Sequence, residues 1–429
     1  MKRLIAFFLA CGLLFGTDSA QEDYTFDLSE IKKKPFQMGG HLEFKPVFSL
    51  LDQGSRFYLL RYFDRPQTKS SSEFNFKALI DLSYEKGIAK AQMRVKTDLR
   101  YFDSDWSNEN SIYEGYLSVK PSLHFQVDVG KKRLKWGKGY AWNPVAFIDN
   151  PKNPYDPDKA LEGFTVISAD YIKSFTGPLK TLTVTGVLVP ILHNLNSSLG
   201  TRDTLNYGGK LYLLLFDTDM DFLFFGGPGV SSRFGVDFSR NITSNFEVHG
   251  EWAYLKDFSL RVFDGGGLSF KEKKDTQSFL LGVRYLTKTN TTFFLEYYWN
   301  GRGLTGKEME NYYQTIDQGY DLFLNTGDES GLNLASSMIE YRTFTPEKKY
   351  LYVRVLQKEP FNIVYFNPSL TSIFNLSDES FSLVPEFLYA PVTDLELRSR
   401  AVILLGGKGT EFGEKQNRCR FELRIRYYF

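Results

Sequence analysis

The chain has 429 residues, of which 42% are hydrophobic and 16% aromatic, and 52 Lys and Arg stand against 51 Asp and Glu. Beyond the N-terminus no stretch approaches the ~18 consecutive apolar residues of a membrane-spanning helix, which excludes helical spanning. The formal net charge of +1 says nothing about a polyanionic partner, and no nucleic-acid partner is expected.

Met1-Lys2-Arg3 is a basic head, residues 4–15 are an apolar run, and Thr17-Asp18-Ser19-Ala20 supplies small residues. Residues 1–20 therefore read as a signal peptide, cut after Ala20 or Ser19. Cys11 leaves with it and Cys419 remains alone, so the mature chain has no internal disulfide and no cysteine-based metal site. Residues 21–36 form a short charged periplasmic lead-in, too short for a folded plug.

From 37 to 429 the chain reads as strands. A strand turns successive side chains to opposite faces. In 38–51, Leu42, Phe44, Phe48 and Leu50 oppose His41, Glu43 and Lys45. In 88–101, Ala91, Met93, Val95 and Leu99 oppose Lys90, Arg94, Lys96, Asp98 and Arg100. Further strands are expected near 74–84, 112–119, 123–135, on both sides of 176–178, and at 205–216, 220–225, 233–240 and 246–255. Others follow near 278–286, 292–300, 350–357, 363–376, 381–389 and 395–405. Long external loops are expected near 136–162, 256–275 and 301–349, the last with a helix near 307–320. With both chain ends in the periplasm the strand count is even. The run 335–345 alternates poorly, and assigning it to a loop gives eighteen strands, with sixteen as the alternative. Pro46, Pro190, Pro368 and Pro385 fall inside strands, so each marks a bulge or a strand end.

The last stretch, 418–429, alternates without error. Cys419, Phe421, Leu423, Ile425, Tyr427 and Phe429 face one way; Arg418, Arg420, Glu422, Arg424, Arg426 and Tyr428 face the other. One face suits hydrocarbon and the other a wet interior. The fold class that follows is all-β: a transmembrane antiparallel β-barrel of the bacterial outer membrane. Lipid and lipopolysaccharide are its expected surroundings. A terminal aromatic on such a strand is the mark by which the barrel-assembly machinery is expected to take it up.

The chemistry reads as non-enzymatic. The four histidines, His41, His124, His193 and His249, form no nucleophile–base spacing, and no metal or cofactor motif appears. The charge on inward faces stands out instead. Lys45, Lys90, Arg94, Lys96, Arg100, Arg398, Arg400, Arg418, Arg420, Arg424 and Arg426 are the expected pore-lining cations. Arginine carries a permanent charge and a planar fork suited to carboxylates and phosphates, so this arc would favour anions. The alternative is that the arginines pair with Glu247, Glu251, Glu296 and Glu386, or that an acidic wall near 246–300 sets up a transverse field. The loop after 135 holds Trp136 and Trp142 among glycines, then Asp149, Asp156 and Asp158 among prolines. It reads as a constriction loop bent into the lumen.

Residues 130–137, Gly-Lys-Lys-Arg-Leu-Lys-Trp-Gly, followed by Asn143-Pro144, resemble the strand-then-loop segment of the porin-like alginate-export group. Residues 409–415, Gly-Thr-Glu-Phe-Gly-Glu-Lys, before the final strand do the same. The resemblance implies a monomeric eighteen-stranded barrel with an electropositive pore. Three functions follow as expectations: a passive channel for small hydrophilic or anionic solutes, an export conduit for an anionic polymer, or a loop-plugged structural or adhesive barrel.

Overall fold

The backbone closes on itself through strand pairing. The computed structural model describes residues 34–263, 269–338 and 345–429. The expected signal peptide and most of the lead-in lie outside them. The strands are β1 (Phe36–Leu51), β2 (Ser70–Lys86), β3 (Ala89–Phe102), β4 (Asp105–Ser122), β5 (Phe125–Lys132) and β6 (Phe164–Ser174). Next come β7 (Leu179–Ile191), β8 (Thr204–Leu215), β9 (Thr218–Gly227), β10 (Val230–Thr243), β11 (Phe246–Phe263) and β12 (Ser269–Leu286). The last six are β13 (Thr291–Trp299), β14 (Lys349–Gln357), β15 (Phe366–Asn375), β16 (Phe381–Val392), β17 (Leu395–Leu405) and β18 (Asn417–Tyr428). Each pairs antiparallel with its neighbours, and β1 pairs with both β2 and β18. The result is a closed eighteen-stranded barrel with no free edge, which lets backbone groups find partners without water. At the seam, Leu42 lies opposite Tyr427 and Phe44 opposite Ile425.

Alternation makes the two faces. Outward residues stay exposed: Leu188, Phe222, Phe234, Trp252, Leu281, Leu295 and Phe421, on strands all around the barrel. An apolar surface of this extent is not that of a water-soluble monomer; it is a lipid-facing wall.

The four prolines meet the barrel's demand in a common way. Each is paired on one flank only: Pro46 with β2, Pro190 with β8, Pro368 with β16 and Pro385 with β15. The flank where the missing N–H would donate has no partner at that position.

The loop expected at 256–275 is corrected. β11 and β12 continue past a bulge between Leu255 and Phe258, and pairing runs out to Phe263 opposite Ser269. Asp257 takes φ 49° there, and its N–H donates to Asp275 at 2.9 Å. The polar sequence on either side belongs to paired strands that outrun the apolar band. β4 does likewise, starting at Asp105 rather than 112.

Among the described residues three helices lie in the long connections: α1 (Arg56–Tyr62) between β1 and β2, and α2 (Gly306–Thr326) and α3 (Ser330–Met338) between β13 and β14. α2 starts on a capping box, Thr305 with Glu308, and ends on left-handed Gly327. Phe57 and Leu60 of α1 pack with Met309, Tyr312, Tyr313 and Ile316 of α2 and Leu332 and Ala335 of α3. These helices make a cap on the end of the barrel away from the termini.

Candidate functional site in the lumen

Residues 133–163, between β5 and β6, fold inward as a strap. Two buried wall carboxylates hold its backbone. Glu251 of β11 accepts from the N–H groups of Lys138 at 2.6 Å, Gly139 at 2.5 Å and Val145 at 3.2 Å. Glu296 of β13 accepts from Tyr140, from Ala141 at 2.8 Å and lies 2.8 Å from His249 Nε2. The glycines are what allow this approach. A Cβ on Gly137, whose φ is 92°, would meet Glu251 at 2.8 Å, and one on Gly139 would meet the Trp142 carbonyl at 2.1 Å.

Trp136 packs with Val145, Phe147, Ile148 and Phe164. Trp142 stacks on Tyr298 with ring centroids 5.1 Å apart. Asp149 accepts the Trp136 N–H at 3.1 Å; burial raises its pKa to about 6 against the pull of Arg133 and that N–H.

The strap's tip reaches the β17–β18 wall. Asp156 lies 3.1 Å from Arg398 and 3.6 Å from both Arg400 and Arg424. The Tyr155 carbonyl accepts from Arg400 at 2.5 Å. Burial works to raise the Asp156 carboxyl, but Arg400, Arg398 and Arg424 outweigh it and hold the group below the usual aspartate range.

Between the tip and the wall of β1–β3 and β17–β18 lies a cavity of about 760 Å³. Eleven Lys and Arg side chains line it against five carboxylates, Glu43, Asp156, Asp158, Glu396 and Glu422. Most of the arginines are ion-paired: Arg426 to Glu43 at 2.6 Å, Arg424 to Glu396 at 3.0 Å, Arg400 to Glu422 at 3.0 Å and Arg420 to Glu422 at 2.9 Å. Lys45, Lys159 and Arg61 have no ion pair among the described residues. Phe57 and Arg61 of α1 close the cavity on the cap side.

Seven of the eleven expected cations line this cavity: Lys45, Lys96, Arg398, Arg400, Arg420, Arg424 and Arg426. Four do not. Lys90 sits by the β2–β3 turn opposite Glu85. Arg94 is held by Asp81 at 2.5 Å and Glu114 at 3.0 Å, and Arg100 by Glu73 at 2.8 Å. Arg418 lies in the open at the rim, on Asp52 at 2.8 Å. Of the residues expected to form a constriction, Asp156 and Asp158 face the cavity, while Trp136, Trp142 and Asp149 are struts inside the strap. The alternative pairing of the pore arginines with Glu251, Glu296 and Glu247 is not formed: Glu251 and Glu296 bind strap backbone, and Glu247 lies 2.5 Å from Arg284. Glu386 does reach the arginines, 3.5 Å from Arg398. Lys77, Lys159, Arg61 and Lys415 complete the lining. Alternation along β2 exposes Lys77 to a reader of the sequence; the other three stand on a loop or a helix, where no period reveals them. Among the described residues no group of three or more His, Cys, Asp or Glu is placed to hold a metal ion.

Known barrels share this architecture. OccAB1 of Acinetobacter baumannii aligns over 91% of this chain and 96% of its own, with a TM-score of 0.55 at 10% identity. OpdQ of Pseudomonas aeruginosa aligns over 92% and 99%, with a TM-score of 0.52 at 10% identity. OccK11 (OpdR) of Pseudomonas aeruginosa aligns over 91% and 96%, with a TM-score of 0.50 at 12% identity. At these identities the likeness is one of fold. No protein-family profile matches the sequence, and no characterised relative matches it at the level of sequence. The resemblance to the alginate-export group finds no support among these neighbours. The chain is a closed outer-membrane-type barrel of the porin architecture, with a strap folded into its lumen.

Proposed function

We propose that the chain is a passive outer-membrane channel for small hydrophilic solutes, with a preference for anions. The reading rests on the cavity beside the strap tip, where eleven cations stand against five carboxylates. A low-dielectric wall with an excess of one sign raises the local concentration of the opposite ion. Pairing fixes the arginines in place without cancelling the excess. The strap and the helical cap narrow the path, which favours small solutes over a polymer. The process is diffusion, with no catalytic step and no cofactor. Lipid and lipopolysaccharide surround the wall, and β18 is the strand offered to the assembly machinery.

Planar-bilayer recordings of the refolded protein under a KCl gradient test this. The expected result is steady conductance with a reversal potential on the anion side. Replacing Lys45 and Lys159 by Gln moves that potential toward zero, because these cations have no ion pair among the described residues. Correctly folded protein that conducts nothing, or that selects cations, overturns the reading.

A further inference from the structure

Three loops on the capped end bring carboxyl groups together, two of them buried and the third, Asp378, half-buried. Glu347 comes from the β13–β14 connection, Asp378 from β15–β16 and Glu411 from β17–β18. Glu347 is 2% exposed and Glu411 is 0% exposed. The Glu347 N–H donates to Tyr350 Oη at 2.7 Å, and Tyr350 donates on to Glu411 Oε2 at 2.6 Å. Asn375 donates to the same oxygen at 3.0 Å. Asp378 accepts from the Glu411 N–H at 2.5 Å and from the Ser380 hydroxyl at 2.7 Å.

Two oxygens of the cluster are unanswered. Glu347 Oε2 and Glu411 Oε1 have no hydrogen-bond partner, nor has the buried Tyr313 hydroxyl of α2. Among the described residues the cation paired with these carboxyls is Lys415, 3.6 Å from Glu411. Arg56 of α1 is engaged elsewhere, at 2.6 Å from Glu414 and 2.8 Å from Asp317 of α2. Carboxyls gathered in one cluster, two of them buried and with so little positive charge, do not all ionise together. Burial first, then Asp378 and Glu411, raise the Glu347 pKa to about 8. Burial raises Glu411 as well, against Lys415.

Glu347 also sits at the base of the cap. α2 and α3 span the segment between 300 and 347, whose ends are tied together. Leu304 N–H donates to the Pro346 carbonyl at 2.8 Å, and Asn300 donates to the Glu347 carbonyl at 3.3 Å. α2 carries α1, and α1 closes the cavity through Phe57 and Arg61. We propose that the uncharged Glu347 carboxyl, set against Asp378 and Glu411, is a latch that seats the helical cap, and that its ionisation releases the cap from the mouth.

The sign follows from linkage. In a released cap Glu347 meets water and titrates in the ordinary glutamate range; in the seated cap it titrates near 8. The seated form is therefore favoured at low pH. The released-to-seated ratio rises up to about tenfold per pH unit from roughly 5 to 8 and levels off above.

The test reads the cap itself, so it stands apart from conductance. In the protein with Cys11→Ser and Cys419→Ser, Met309→Cys places a single thiol in the cap core, where Met309 is 2% exposed. Its reaction rate with a small methanethiosulfonate is divided by that of Leu324→Cys, a position 63% exposed on the same helix. The ratio is expected to rise at least tenfold between pH 5 and 8 and then flatten. Adding Glu347→Gln holds it at the low-pH value throughout. Glu411→Gln removes a neighbouring negative charge, so the rise ends at a lower pH. A ratio independent of pH in the parent protein overturns the proposal. So does a rise that survives Glu347→Gln, or a Gln variant that reacts fast at every pH.

Discussion

Glu251 shows why a charged residue on an inner wall need not be an ion-pair partner. Its carboxylate accepts three strap N–H groups and lies in a fold of backbone that only Gly137 and Gly139 permit. Glu251→Ala strands these donors away from water, at ~1–3 kcal/mol each. Hydrogen exchange at residues 138–145 is then expected to speed by ~100-fold or more, a loss of about 3 kcal/mol, while barrel strands keep their protection. Gly139→Ala brings a methyl within 2.1 Å of a carbonyl and gives the same signature. Asp149 adds a pH dependence to the same strap. Burial raises its folded pKa to about 6, so the seated strap favours the neutral acid. That contribution is whole below the ordinary aspartate pKa, falls as pH rises to about 6, and is flat above. Asp149→Asn keeps an acceptor for the Trp136 N–H and stays neutral. At pH 7 it is expected to protect the strap by on the order of 2 kcal/mol more than the parent, read by exchange at the same amides.

The strap and the helices differ in how plainly the chain announces them. α2 is legible because its signals are local: Thr305-x-x-Glu308 at the start and Gly327 at the end. The strap's glycines, tryptophans and aspartates are legible as a structured loop. Its seat is not, because Lys138 and Glu251 are more than a hundred positions apart in the chain. The stretches 258–263 and 269–274 are hidden for the opposite reason: their pairing continues where their polarity reads as loop. The strap's tip carries its own prediction. Asp156 puts one negative charge among Arg398, Arg400 and Arg424. Asp156→Asn removes that charge and loosens the tip. Single-channel conductance is expected to rise and the reversal potential to move further to the anion side. Because the arginines hold this carboxyl below its usual range, the contact stays intact from pH 5 to 9 and is lost only in stronger acid. Asp156 is thus expected to add no pH dependence to conductance across that window.

At the scale of the molecule, period-two alternation and the parity of the strand count carried most of the fold, since a closed barrel repeats one rule on every strand. They could not tell a free cation from a paired one. That depends on registers such as Glu43 opposite Arg426 across the seam. The seam is also where closure is most exposed to a single added methyl. Gly40 and Phe429 exchange N–H to carbonyl bonds at 3.0 and 3.1 Å. A Cβ on Gly40 would stand 2.2 Å from the Leu79 carbonyl oxygen and 2.9 Å from the Phe429 ring. The ring can turn away, but the carbonyl belongs to the β1–β2 ladder and cannot move without breaking it. Gly186, inside β7, is a matched control, because a Cβ there meets nothing within 4 Å. Gly40→Ala is expected to destabilise closure by about 1–3 kcal/mol, the usual cost of overpacking, and Gly186→Ala to leave it unchanged. The heat-modifiable fraction on unboiled gels after refolding reads both. Equal folded fractions for the two variants would mean that the ends of the barrel close without the close approach of Gly40 to β2 and Phe429.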